Sequence, residues 1–432
     1  DADTADRIAR MLERARKLIV AVGSNKTIGF GIVDGGAVSQ HPPVPACVVG
    51  NWTGDAVEVD AIFDRPILVD PQRLAGNVSI SGTIVPGSVL KGALARILAL
   101  KGFDPATDPA WSDGFADLGM SHAFPLDVEG RELEIPLPRS LFGGGQPWRL
   151  LCGFASPEPL VEGEAATCID DFKKEQFALA RAEFGRAHED FETLALPRTH
   201  VRIDRGTGAA RDEDIYVEAP LSHLLPDGRP RSWRFRLRRG ARTTEEQFER
   251  IIAILRGGID LVGATRASLM PVDARPWIPP APRAYAPGRW LVTLKTPALM
   301  LDAQALLAAA EEASVDGAPT DDLRGAFAAY WMAHGFTLVD FFAEMRLAGG
   351  YAALRTAEAR RRGYRPFLLT DAGSSFLVEG TEAAAADLLR DGLPVLSNPA
   401  RPGWRETLYL PSNGYGEILM EPDRHHALEA GE

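Results

Sequence analysis

The segment Thr83-Ile84-Val85-Pro86-Gly87-Ser88-Val89-Leu90-Lys91-Gly92 sets a hydroxyl and an ammonium within one turn of a helix start. Ser88 is a residue type that caps a helix by accepting a first-turn N–H, and Gly87 lets the backbone turn and approach a partner closely. A first-turn cation opposes the helix dipole. Lys91 is therefore either a plain surface lysine or a cation that shares one phosphate with the free N–H groups. The nucleotide P-loop does not fit, because its lysine precedes Ser or Thr within a longer glycine run. A second group is basic: His200, Arg202 and Arg205 surround Asp204, which can order either arginine through a charged pair. Gly206 and Gly208 let this stretch bend, and Thr207 can donate to a phosphate. A Ser-His-Asp reading of His200 fails for want of a nucleophile. Trp148 and Arg149 follow Gly143-Gly144-Gly145. They are either a base-stacking ring with a phosphate-gripping guanidinium, or a core tryptophan beside a surface arginine. Lys26 stands at the tip of Gly23-Ser24-Asn25-Lys26-Thr27-Ile28-Gly29-Phe30-Gly31, which also reads as a plain hairpin turn. Asn413 precedes Gly414-Tyr415-Gly416, where its amide can donate to a phosphate or 2′-hydroxyl more weakly than a cation.

The surrounding pattern supplies elements to hold these groups. Leu90, Leu94, Ile97 and Leu98 form one apolar helix face after Gly87. Residues 1–17 also read as a helix, with Ile8, Met11, Leu12 and Ala15 on one side. Ala56–Phe63 alternates like a half-buried strand, and Asn77–Ile84 is a second strand-like piece. Residues 101–120 read as loop-rich. In Arg231–Arg239, Trp233, Phe235 and Leu237 alternate with Arg234, Arg236 and Arg238, a strand with one charged side. A helix starts at Thr243 or Thr244, carries Phe248, Ile251, Ile252 and Leu255 inward, and stops at Gly257-Gly258. Trp277–Gly288 is a proline-rich linker. Beyond it lie a strand at Arg289–Leu299, helices at Ala303–Glu312 and Ala383–Leu389, a helix and strand within Ala326–Phe341, and a basic run at Arg355–Arg362.

A chain of 432 residues with 45% hydrophobic content can bury more than one core, so two or three domains are expected. Cys47, Cys152 and Cys168 make neither a disulfide framework nor a metal-ligand spacing, and a reducing cytoplasm fits them. No apolar run reaches membrane-spanning length and no secretory signal is visible, so no membrane partner is expected. A net charge of −12 argues against indiscriminate binding to naked nucleic acid, though it leaves room for a local basic groove.

Ile84-Val85-Pro86-Gly87-Ser88-Val89-Leu90-Lys91-Gly92 resembles a motif of the RAMP superfamily, the RNA-binding subunits of CRISPR effector complexes. The order of further islands strengthens the likeness: the Gly23–Gly31 loop, Arg202-Ile203-Asp204-Arg205-Gly206-Thr207-Gly208-Ala209-Ala210, Ala372-Gly373-Ser374 between two strands, and Asn413–Gly416. Leu261–Ser268 stands where such domains place a closing glycine loop, but lacks two of its glycines. The resemblance implies an α+β chain of tandem ferredoxin-like, RNA-recognition-like domains with long insertions. It places a partial unit and linker at 1–50, one domain at 56–285 and a second at 286–432, suggesting a fusion of backbone-type and guide-end-capping-type domains of a type III-like system. The function implied is guide-RNA (crRNA) binding within a ribonucleoprotein for antiviral defense, with complementary target RNA and other effector subunits as partners. Lys26, Gly87, Ser88, Lys91, Trp148, Arg149, His200, Arg202, Arg205, Thr207 and Asn413 are the expected RNA contacts. Some related backbone subunits carry an aspartate that supports target-RNA cleavage, which makes Asp70 the catalytic candidate, ahead of Asp60 and Asp64. With a reference pKa of about 3.9, a carboxylate suits holding Mg2+ or Mn2+ better than base work. Yet Asp70-Pro71 is also an ordinary turn signal, so a scaffold that needs no cofactor for binding is favoured over a metal-dependent endoribonuclease. Outside the family, the alternative is a soluble α+β enzyme whose glycine loops hold a small phosphorylated ligand.

Overall fold

The computed structural model describes residues 50–70, 72–74, 77–144, 149–152, 167–171, 173–189, 194–203, 210–302, 322–349, 367–395 and 407–421, together with Met11 and Leu306. The readings made for residues 1–17, Gly23–Gly31, Ala303–Glu312 and Arg355–Arg362 fall on or largely on residues outside that set.

The first half opens with β1 (Ala56–Phe63), β2 (Gln72–Leu74) and β3 (Val78–Ile80), then α1 (Gly87–Leu100), α2 (Pro109–Asp117), β4 (Gly119–Met120) and β5 (Phe124–Pro125). A long insertion follows: β6 (Leu141–Gly144), β7 (Arg149–Cys152), β8 (Thr167–Cys168), α3 (Lys174–Glu183), β9 (Arg198–Ile203) and β10 (Ala210–Ala219). The half closes with β11 (Ser232–Arg238), α4 (Glu245–Arg256), β12 (Ile259–Val262) and β13 (Ala267–Pro276). The main sheet runs β12-β13-β1-β11-β4, with β5 continuing the β4 edge, and β1 pairs antiparallel with both β11 and β13. Without the insertions this is β-α-β-β-α-β in the spatial order fourth, first, third, second, the ferredoxin-like arrangement.

The second half repeats it. β14 (Arg289–Leu294), β15 (Ala298–Leu301), α5 (Asp322–Ala333), β16 (Thr337–Phe342), β17 (Met345–Ala348), β18 (Phe367–Thr370), β19 (Ser375–Glu379), α6 (Glu382–Asp391) and β20 (Ile418–Glu421) follow in order. Their main sheet is β16-β19-β14-β20, the same topology, while β15, β18 and β17 form a smaller sheet beside it. The chain is therefore α+β, with two ferredoxin-like units and separate apolar cores.

Alternation explains the first core. Trp233, Phe235 and Leu237 are fully buried beside Val57, Val59 and Ala61 of β1. Leu90, Leu94 and Leu98 of α1 and Phe248, Ile251 and Leu255 of α4 cover that face. Thr244 caps α4 in a capping box with Gln247. Three local readings are corrected. The stretch 101–120 contains α2, capped by Asp108 with Pro109 at its first position, a start signal that the surrounding prolines and aspartates obscured. Pro86, not Ser88, is the α1 cap residue, no side chain caps it, and Ser88 lies inside the helix. The strand within Asn77–Ile84 shrinks to β3 and joins a separate sheet, β2-β3-β10-β9, in which β3 runs parallel to β10.

Candidate nucleic-acid interface

The fold brings the Pro-Gly-Ser helix start and the closing glycine loop into contact, and both become parts of the seam between the two units. Gly87 is buried, and its N–H donates to His122 Nδ1 at 3.2 Å. A Cβ at Gly87 would meet the carbonyl oxygens of Met120 and Ser121 in its own unit and of Asn413, at 2.6 Å, in the other, so the close approach requires glycine. Lys91 is 5% exposed, and its Nζ donates to the carbonyls of Ala116 (3.0 Å), Leu118 (2.7 Å) and Ser412 (3.3 Å). Burial lowers its pKa to about 7, against the pull of Asp117. Here Lys91 is neither a surface lysine nor an ammonium turned to an external anion; three carbonyls use its donors.

Other residues expected to contact RNA lie at the same seam. The Asn413 side chain is buried and donates to the Leu408 carbonyl at 2.9 Å. Ser88 hydrogen-bonds Tyr415, whose hydroxyl burial pushes well above its ordinary pKa, with Asp70 adding to the rise. Tyr415 packs edge-on against His122, ring centres 4.7 Å apart. Burial, then repulsion from Lys295, drops His122 to about 3, so the imidazole is neutral and serves as an acceptor. Asp70 is exposed at φ 42°, a left-handed position that aspartate tolerates better than most residues. Its loop is pinned by Ser81, whose hydroxyl accepts from the Val69 N–H at 3.0 Å. Among the described residues no group of three or more His, Cys, Asp or Glu side chains could hold a metal ion.

The charged side of β11 is not a bare basic platform either. Arg234 pairs with Asp60 at 2.8 Å, Arg236 with Glu417 at 2.7 Å, and Arg238 with Asp391. Arg275 of β13 reaches Glu58 at 2.5 Å and Asp60 at 3.2 Å. Two of these carboxylates, Glu417 and Asp391, come from the second unit, which docks on this side of the sheet. Lys295 returns the contact by pairing with Glu132 at 2.5 Å; burial works against the Glu132 charge, but Lys295 and then Arg236 hold its carboxyl below the usual range.

The β9–β10 hairpin is different. It stands on the small sheet, and the Asp204–Ala209 stretch joins its strands outside the described residues. Its register sets His200 opposite Tyr216 and Arg198 opposite Glu218, on one face. The His200 and Tyr216 rings stack with centres 5.0 Å apart and planes 12° from parallel. Tyr216 is 40% exposed, and His200 Nε2 lies 3.5 Å from Glu218. Arg202 belongs to β9 and Arg149 to β7, with side chains outside the described set; Lys26, Trp148, Arg205 and Thr207 lie outside it altogether. Sequence reasoning missed Tyr216, although its alternation with Ile215 and Val217 marks it as facing the same way as Glu218.

No protein-family model matches the sequence, and no curated protein is significantly similar to it. Solved structures do resemble the fold at a distance. One is a chain of the Type III-B Cmr-beta complex bound to cognate target RNA, at 13% identity and TM-score 0.39, covering 84% of this chain and 96% of that one. Another is a chain of Cmr-beta bound to cognate target RNA and AMPPnP, at 12% identity and TM-score 0.35, covering 74% and 86%. A third is a chain of the Csm3-Csm4 subcomplex of the type III-A CRISPR-Cas interference complex, at 10% identity and TM-score 0.31, covering 75% and 93%.

Proposed function

We propose that this chain is a guide-RNA-binding structural subunit of a type III-like CRISPR ribonucleoprotein that recognises complementary RNA. The observation that carries the reading is the β9–β10 hairpin. It joins an Arg-x-Asp-Arg-x-Thr-Gly stretch, at Arg202–Gly208, to the stacked, half-exposed pair His200–Tyr216. A ring with an accessible face stacks on any base, and flanking cations hold the backbone, so such a hairpin grips single-stranded RNA without reading its sequence. The ion-paired β11 face supports the same division of labour: Arg236 and Arg238 hold the two units together, Arg234 pairs within the first, and RNA contact is left to the hairpin. A net charge of −12 then suits a subunit that holds RNA locally and meets other subunits with its remaining surface.

On this reading the chain is a scaffold, and Asp70 is a turn residue whose left-handed backbone shapes the loop before α1. The experiment is to purify the assembled effector, extract its nucleic acid and sequence it. The proposal expects RNA tens of nucleotides long with a defined sequence at one end. An effector free of RNA, or one carrying random cellular fragments, overturns it.

A further inference from the structure

One side chain anchors both ends of the insertion that carries β6, β7, β8 and α3. Arg231, fully buried just before β11, donates from Nη1 to the Leu126 carbonyl at 3.0 Å, where the insertion leaves the first unit. The same guanidinium grips the Glu189 carboxylate, where the α3 arm returns, through Nη1 at 3.2 Å and Nη2 at 2.7 Å. Leu133 bridges to Ala187, and both are buried in the first unit's core. The two arms, residues 126–144 and 173–189, thus spring from a single root.

Away from the root, both arms reach the second unit. The Arg139 N–H donates to the Gly373 carbonyl at 2.8 Å, and its guanidinium pairs with Glu344. Gly373 stands at φ 88°, and a Cβ there would meet the Leu137 carbonyl at 2.9 Å. The Phe142 and Phe342 rings meet edge-on, with centres 5.6 Å apart. On the returning arm Arg186 pairs with Glu421 of β20, and both side chains are nearly buried. Leu137, Leu141, Ile169 and Ala180 form the insertion's own core, separate from the cores of the two units. Four buried apolar residues do not hold a fold by themselves. The arms therefore owe their order to the root and to the second unit.

We propose that the two arms form a strap that closes over the second unit and opens as one piece, hinged at the Arg231 root, while both ferredoxin-like cores stay folded. A region with little apolar burial of its own opens locally, at less cost than global unfolding. Arg139 and Arg186 are the latches, one on each arm. Removing either guanidinium leaves its carboxylate without that partner, and the loss weighs most at Glu421, which is nearly buried. Closed, the strap covers the turn at Gly373. It also sets the β9–β10 hairpin against β20, because the chain runs from Glu189 on into β9. The inference does not rest on the guide-RNA reading, since opening is a property of the chain without RNA.

Native-state hydrogen exchange of the full chain, read by mass spectrometry, tests it for the wild type, Arg139→Gln and Arg186→Gln. In the wild type, protected amides of residues 132–141 and of α3 should exchange at one common rate, at least tenfold faster than those of β1, β11, β14 and β19. Each variant should speed both arms at least fivefold, its own and the opposite one, with the four strands unchanged. Arms that exchange at the rate of the four strands open only with global unfolding, and that overturns the proposal. Arms that exchange as fast as an unstructured peptide overturn it too, because no closed strap then exists. A variant that speeds only its own arm shows separate fraying, and one that speeds the four strands equally shows loss of the whole fold; either result contradicts a single hinged piece. So does a variant that changes nothing. The Arg139 latch meets a carboxylate that is more than half exposed, so its replacement leaves both cores intact. The wild-type comparison stands without either variant.

Discussion

Lys91 Nζ donates to the carbonyl of Ser412, 321 residues away in sequence and 3.3 Å away in space. One lysine thus ties the first helix of the first ferredoxin-like unit to the closing loop of the second. Replacing it with Met leaves the buried carbonyls of Ala116 and Leu118 and the half-buried carbonyl of Ser412 without their donor, each buried loss costing about 1–3 kcal/mol. Lys91→Met is therefore expected to lower the thermal midpoint by several degrees or more. It leaves the salt dependence of guide-RNA binding unchanged, as measured by filter binding across a salt series. A salt slope shallower by about one unit would return Lys91 to the RNA backbone.

The charge on Lys91 adds a pH signature. Its folded pKa, about 7, lies below its ordinary value of 10.5. Between those values the unfolded chain binds more protons than the folded one, so this group makes stability rise with pH. The wild type should gain stability relative to Lys91→Met as pH rises from 7 toward 10, read by urea unfolding. Parallel profiles would show that the ammonium is not desolvated.

His122 works in the same sense at lower pH. Its folded pKa is about 3, against an ordinary 6.5. Protonation of the unfolded chain therefore draws stability away as pH falls from about 6.5 toward 3. His122→Asn keeps an acceptor for the Gly87 N–H and removes the titration, so its midpoint should fall less steeply between pH 6.5 and 4. An unchanged slope would mean that other groups carry the acid sensitivity.

Glycines along α1 separate the seam from ordinary helix. Gly87→Ala drives a Cβ into carbonyl oxygens of both units, an overpacking expected to cost about 1–3 kcal/mol. Gly92→Ala meets nothing within 4 Å and should stabilise by about 0.5–1 kcal/mol. Denaturant midpoints of the two variants moving the same way would contradict this placement of the seam.

Asp70→Asn keeps the shape of the side chain and, like aspartate, tolerates the left-handed backbone. With labelled complementary RNA and Mg2+ or Mn2+, the pattern and rate of any cleavage should be the same as in the wild type. Loss of one set of cuts would make Asp70 a metal-holding residue.

Much of the fold was legible because alternation is strict where one face is buried. Trp233, Phe235 and Leu237 announced β11, and Phe248, Ile251, Ile252 and Leu255 after Thr243 or Thr244 announced α4. The candidate site was legible only in part. Gly87, Lys91 and Asn413 signal a place where backbone and ligand meet closely, but sequence cannot say whether the ligand is RNA or another part of the chain. Here the second unit's carbonyls, Ser412 and Asn413, take that place. The pairing of Arg236 and Arg238 with Glu417 and Asp391 was equally hidden, since those partners lie 181 and 153 residues away. Tyr216 was overlooked because a tyrosine in an alternating strand reads as ordinary sheet packing until its cross-strand neighbour, His200, is known.

The most direct measurement is photochemical cross-linking of the assembled effector, with 4-thiouridine in its guide RNA, read by mass spectrometry of the adducts on this chain. The account predicts adducts within residues 198–219, the β9–β10 hairpin, with Tyr216 among them. Tyr216→Ala should weaken guide retention by about 1–3 kcal/mol, the worth of one base stacked on a ring. Adducts confined to the β11 face, or full guide retention in Tyr216→Ala, would contradict it.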